Sequence, residues 1–243
     1  MKETLSGVID GLLEESGYRS NPYFTHLRDG SFSREDFVET QIQFFFAVIF
    51  FNRPMAALAA KIPTPELRLE VLRNVWEEHG EGDASRVHGT TFAEFLSRLD
   101  GITEADIEAR ALWPEVRIFN TTLVGACVLD EYLIGVGVMG MIERMFCEIS
   151  SWIGEAVIAR GWLPRERMIH YNLHEALDIK HSDDFFAVLA PSWEKGGEHR
   201  YYIEQGLWLG ATVFAGLYEG LYRARARRTL RSVRGPHTRA AGV

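Results

Sequence analysis

"HEALDIKHSDDF", residues 174–185, sets His174, Asp178 and His181 at positions i, i+4 and i+7. At ~3.6 residues per turn, a helix brings these three side chains within about 60° of arc, onto one stripe. All three can ligate a metal. Such a stripe either faces water or binds something, and the rest of the sequence has to decide which.

The surrounding pattern is helical throughout, with no convincing alternating strand. A first helix is expected over about 3–16 and a short one in "PYFTHLRDG", stopped by Gly30. Ser33, with Asp36 three residues on, caps a helix running through "IQFFFAVIFF" (42–51) to about Arg53, where Pro54 should kink or interrupt it. Another helix follows from Pro65 to about His79, closed by Gly80 and Gly82, and Asp83 or Ser85 can cap the helix that contains His88. After a short helix at 103–110 and a segment at 115–128, a long helix spans about 130–160. Pro164 opens the helix carrying the stripe, and a last helix covers about 199–228. The fold class is all-α, a helical bundle.

With 243 residues and 47% hydrophobic content the chain can bury a full core. No linker composition divides it, so residues 1–228 are expected to form one domain. Residues 223–239 contain seven arginines and no acid, and 229–243 read as a basic, flexible tail. Removing those seven from 26 basic residues leaves 19 against 34 acidic ones, so the body carries about −15 and repels nucleic acid. The stretches 42–51 and 132–142 are too short to span a bilayer and read as core helices, so no membrane partner is expected. Two cysteines make no disulfide framework and no signal peptide is evident, so the cytoplasm is the expected location.

The stripe does not stand alone. Glu143 sits in "GVMGMIERMFCEIS", where an unpaired carboxylate is costly, and Arg144 lies about 100° away on the helical wheel. In "NVWEEHGEGDASRVHG" (74–89), Glu78 ends one helix and His88 begins another across a glycine-broken turn, a geometry that can aim both inward. Glu78, His88, Glu143, His174, Asp178 and His181 together make three carboxylates and three imidazoles. Three anionic ligands offset most of the +4 charge of two ferrous ions, and mixed nitrogen and oxygen ligation with open positions suits iron or manganese better than structural zinc.

This order, Glu, His, a mid-chain Glu, then His-x3-Asp-x2-His, resembles the heme-oxygenase-like diiron oxidases and oxygenases, related in fold to heme oxygenase, thiaminase II and the pyrroloquinoline-quinone synthase. The similarity extends to "NPYFTHLRDGSFSREDFVETQIQFFFAV" and "NVWEEHGEGD" and covers nearly the whole chain. The resemblance implies a bundle of about seven core helices and two Fe(II) ions per chain. One ion would draw mainly on Glu78, His88 and shared carboxylates, the other on the stripe with Glu143. It further implies O2 as co-substrate, and N-oxygenation or oxidative C–C or C–N cleavage of a small amine or amino-acid derivative in bacterial natural-product biosynthesis. An external reductant and a homodimer belong to the same expectation. A cofactor-independent enzyme of the same fold and a small-molecule binding protein are the alternatives. The ferritin-like Glu-x-x-His pairs are absent from the sequence.

Some assignments stay open at this level. Glu81, seven residues before His88, is an alternate to Glu78, although it lies past Gly80. His170, one turn before His174, is an added ligand, a neighbour that orients ligands, or a core histidine. Arg53 could hold a substrate carboxylate by a bidentate fork or make a structural ion pair. Cys127 and Cys147 read as small buried hydrophobes, and Arg200, Tyr201 and Tyr202 remain ambiguous between pocket and surface.

Overall fold

The computed structural model describes residues 4–231, without the side chains of residues 169 and 172–179. Among the described residues there are ten α-helices: α1 Leu5–Glu15, α2 Pro22–Asp29, α3 Arg34–Lys61, α4 Pro65–Glu78, α5 His88–Asp100, α6 Glu104–Glu108, α7 Pro114–Val124, α8 Tyr132–Ala159, α9 Ile169–Lys195 and α10 Glu198–Ala224. The all-α bundle expected from the sequence is the fold observed. No strand occurs among the described residues beyond a single antiparallel bridge between Arg110 and Leu230.

Local signals account for most boundaries. The Asp36 backbone N–H donates to Ser33 Oγ at 3.1 Å and opens α3, and Gly30 in a left-handed conformation closes α2. Three boundaries differ from expectation. Pro54 lies inside α3 and does not interrupt it; the hydrogen bond it removes is offset by burial of Met55, Leu58 and Ala59 just beyond. Asp83 caps the short 3-10 turn 84–86 rather than α5, which begins at His88 without a side-chain cap. Pro164 precedes another 3-10 turn, and α9 starts at Ile169.

By length and composition α3 is apolar enough to cross a membrane. Its buried polar residues tell how it is used. Glu39 takes a bidentate pair from Arg110 at 2.7 and 3.0 Å, Gln41 donates to Tyr23 Oη and accepts from Tyr171 Oη, and Gln43 bonds Trp113 N–H and the Ala111 carbonyl. These groups lie on different sides of α3, and each finds a protein partner.

The first tail residues are tied down. Ala111 N–H donates to the Thr229 carbonyl and Arg231 N–H to that of Ala109, while Arg228 pairs with Glu35 and Asp36 and Arg227 with Glu115. Residues 232–243 lie outside the described residues.

α8 runs through the middle of the bundle, between α9 and α10, and glycines permit the close crossing. A Cβ on Gly206 would overlap the Ile134 carbonyl oxygen, one on Gly210 would come within 2.7 Å of the Val138 oxygen, and one on Gly137 within 3.0 Å of the Leu207 nitrogen. Gly216, in the same helix α10, faces open space. Alanine is favoured over glycine in a helix by ~1 kcal/mol, and overpacking costs ~1–3 kcal/mol. Gly216→Ala is therefore expected to raise the urea midpoint and Gly206→Ala to lower it, with unchanged m-values; equal effects would mean that the crossing tolerates a methyl group.

Candidate metal centre

α4 stops at Glu78 because the next residues leave helical space. Gly80 and Gly82 have φ of 65° and 88°, and Glu81 itself has φ 55°. A Cβ on Gly80 would lie 2.7 Å from both the Arg86 carbonyl carbon and the Val87 nitrogen, so the doubled-back chain admits only glycine there. The reversal starts α5 at His88 and sets His88 Nδ1 2.8 Å from Glu78 Oε1, with both side chains buried.

From the opposite side come α8 and α9. Glu143, at the middle of α8, is 4% exposed, as is Glu78, and His181 of α9 is fully buried. Glu78, Glu143 and His181 each bring a ligand atom to within 4.8 Å of the other two. His181 Nδ1 lies 3.9 Å from Glu143 Oε2 and has no hydrogen-bond partner among the described residues.

The other nitrogen of that ring is held. His181 Nε2 is 2.7 Å from Glu77 Oε2, and Glu77 Oε1 accepts from Lys180 Nζ at 2.6 Å. Burial pushes the Glu77 carboxyl up, but the hydrogen bonds and charge of Lys180 and His181 outweigh it and hold the group below the usual carboxylate range. An ionised carboxylate only accepts, so His181 Nε2–H is the donor to Glu77, and Nδ1 is the nitrogen turned toward the centre. Nδ1 faces two buried carboxylates, an arrangement of ligand atoms that a cation would reconcile. The donor set of two carboxylates and an imidazole, with His88 beside it, fits iron.

Glu78, His88, Glu143 and His181 are thus brought together. His174 and Asp178 share helix α9 with His181, and their side chains lie outside the described residues. Glu81 is on the surface in an ion pair with Arg86 at 3.0 Å. His170 is buried with Nδ1 3.1 Å from Thr91 Oγ1 and its ring edge-on to His88. Arg53 is exposed over the Phe50 ring rather than aimed at the centre. Burial pushes the Cys127 thiol up to about 12, and the buried Cys147 donates to the Glu143 carbonyl. Arg200 stacks on Trp193, the Tyr202 hydroxyl donates to Glu198 and Tyr201 is exposed.

Glu77 is not among the residues that the sequence singles out, although it stands directly beside Glu78. The acidic pair at the end of α4 is the available signal: two successive helix residues point about 100° apart, so one can face the centre while the other meets its rim.

A model of a family described as iron-containing redox enzymes matches residues 38–215. No curated protein matches the sequence. Among solved structures, a TenA homologue from Pyrococcus horikoshii OT3 is similar with a TM-score of 0.69 at 14% identity, over 89% of this chain and 98% of that one. A domain of unknown function with a heme oxygenase-like fold from Shewanella denitrificans OS217 gives 0.73 at 13%, over 91% and 92%. A TenA family transcription regulator from Silicibacter sp. TM1040 gives 0.63 at 14%, over 91% and 99%. At such identities these likenesses concern the fold.

The Glu77 contact can be read directly. In metal-free protein, nitrogen-15 NMR should show His181 Nε2 protonated and hydrogen-bonded. Glu77→Leu should remove that hydrogen bond while leaving the fold intact, and an unprotonated Nε2 in the wild type would contradict the geometry.

Proposed function

The chain belongs to the family of iron-containing redox enzymes, and from that premise we propose that it is a non-haem diiron oxygenase acting on a small amine or amino-acid-derived metabolite. The observation that carries this reading is the His181 ring, held by Glu77 with Nδ1 turned toward Glu143 and Glu78 in a dry interior. Glu78, His88, Glu143 and His181, with His174 and Asp178 from the same helix as His181, are the proposed holders of two ferrous ions. When bound, the ions supply dioxygen activation, which protein side chains cannot.

The chain's own residues do the rest. Glu77 orients the imidazole; outer partners of this kind are worth about 10–100-fold in metal affinity. His170 and Thr91 pack against His88 and hold the edge of the centre. The surrounding phenylalanines exclude water, which strengthens each charge interaction inside. For N-oxygenation the balance is one oxygen atom inserted into an amine N–H bond to give a hydroxylamine. The other oxygen leaves as water, with two electrons and two protons from an external reductant.

Anaerobic titration of metal-free protein with ferrous iron tests the reading. Two ions per chain are expected. His174→Ala, Asp178→Ala and Glu143→Ala should each abolish loading of at least one ion while helicity by circular dichroism persists. Glu77→Leu should weaken binding by about 10–100-fold, and Glu81→Gln should leave it unchanged. Full loading of both ions in the Asp178 and Glu143 variants would defeat the diiron assignment.

A further inference from the structure

The centre opens on one side into a cavity of about 450 Å³, solvent at its mouth included. Among the described residues the polar groups lining it are Glu78, His88, Glu143 and His170, all at the end where the metal groups converge. The remaining described lining residues are hydrocarbon. Phe44, Phe119, Phe146 and Phe214 are buried and form a continuous aromatic surface, with ring centroids 5.7 Å apart for Phe44 and Phe146, 5.9 Å for Phe119 and Phe214, and 6.1 Å for Phe146 and Phe214. Val48 and Phe51, both on α3, are the only described lining residues that are half-buried, and they mark the mouth.

This distribution restricts what fits. A hydroxyl, amide or second charge carried on the body of a substrate would be desolvated against phenylalanine rings that offer no hydrogen bond, at a cost of a few kcal/mol. Arg53, the nearest cation in sequence to the mouth, is exposed over Phe50 and does not line the cavity. An alkyl or aryl body gains instead from every methylene it buries.

We infer that the substrate is an amine with an apolar body, aromatic or alkyl, that enters past Val48 and Phe51 and leaves only its amine end at the metal groups. The amine end rests on the oxygenase reading above; the apolar body rests on the cavity alone.

The two can be separated by calorimetric titration of the full chain, with and without Mn(II) as an oxygen-inert stand-in for iron. The probes are ethylamine, n-butylamine, n-hexylamine, 2-phenylethylamine and ethanolamine. The dissociation constant is expected to fall roughly fourfold per added methylene, with phenylethylamine among the tighter ligands and ethanolamine the weakest. Ala47→Phe, which fills the cavity from α3, should flatten this dependence. Phe51→Ala, at the half-exposed mouth and safer for folding, should weaken phenylethylamine several-fold. A flat chain-length dependence in the wild type, or ethanolamine binding as tightly as n-hexylamine, overturns the inference. A methylene dependence that persists without Mn(II), in protein that binds no metal at all, supports the apolar body and sinks the oxygenase reading instead.

Discussion

Two carboxylates buried side by side are the constraint on which the rest of this structure turns. Glu78 and Glu143 are each 4% exposed, and each faces the other's neighbourhood with a fully buried imidazole between α8 and α9. Taking an ion out of water costs several kcal/mol even after relaxation, and like charges close together add to it. Imidazoles recover part of that cost, as His88 does at 2.8 Å from Glu78. A metal ion recovers far more, so the interior is arranged for a cation before any question of catalysis arises.

Meeting that constraint determines otherwise odd local choices. The turn after Glu78 spends Gly80, Gly82 and a left-handed Glu81 on reversing direction within a few residues. An ordinary loop would carry His88 away from Glu78. α8 in turn has to pass close to both α9 and α10 for Glu143 to reach the same point, and Gly137, Gly206 and Gly210 take the place of side chains that would hold the helices apart. Glycines weaken helices, and here the loss is offset by the tight packing of three long helices around one point. Lys180 and Glu77 finish the arrangement from outside, locking the ring whose inner nitrogen completes the donor set.

Much of this is legible without coordinates. The periodicity of the long helices, the caps at Ser33 and Gly30 and the glycine-broken turn after Glu78 are local signals, and the structure bears each of them out. That Glu143 needs compensation follows from composition alone, since a charge inside "GVMGMIERMF" has few alternatives. What is not legible is non-local. Glu77 meets His181 across 104 residues of sequence, and nothing near either residue says which of the two acids at 77 and 78 turns inward. Pro54 misleads because breaker rules describe an isolated helix, whereas α3 buries Met55, Leu58 and Ala59 just beyond it. Arg227 and Arg228 read as part of a solvated tail because their acidic partners, Glu115, Glu35 and Asp36, lie more than a hundred residues away.

The apolar cavity and the charged centre reinforce each other physically. Phenylalanine walls lower the local dielectric response, which raises the cost of leaving Glu78 and Glu143 uncompensated and strengthens their attraction for a cation. The same walls would keep bulk water from competing for a cation held there. A polar cavity would weaken both effects. The solved structures of similar fold show that this bundle is built at 13–14% identity around other sequences, so the scaffold alone does not select a chemistry. In this chain, selection rests on a handful of side chains: the acids at the end of α4 and in the middle of α8, the histidines that meet them, and the rings that keep them dry.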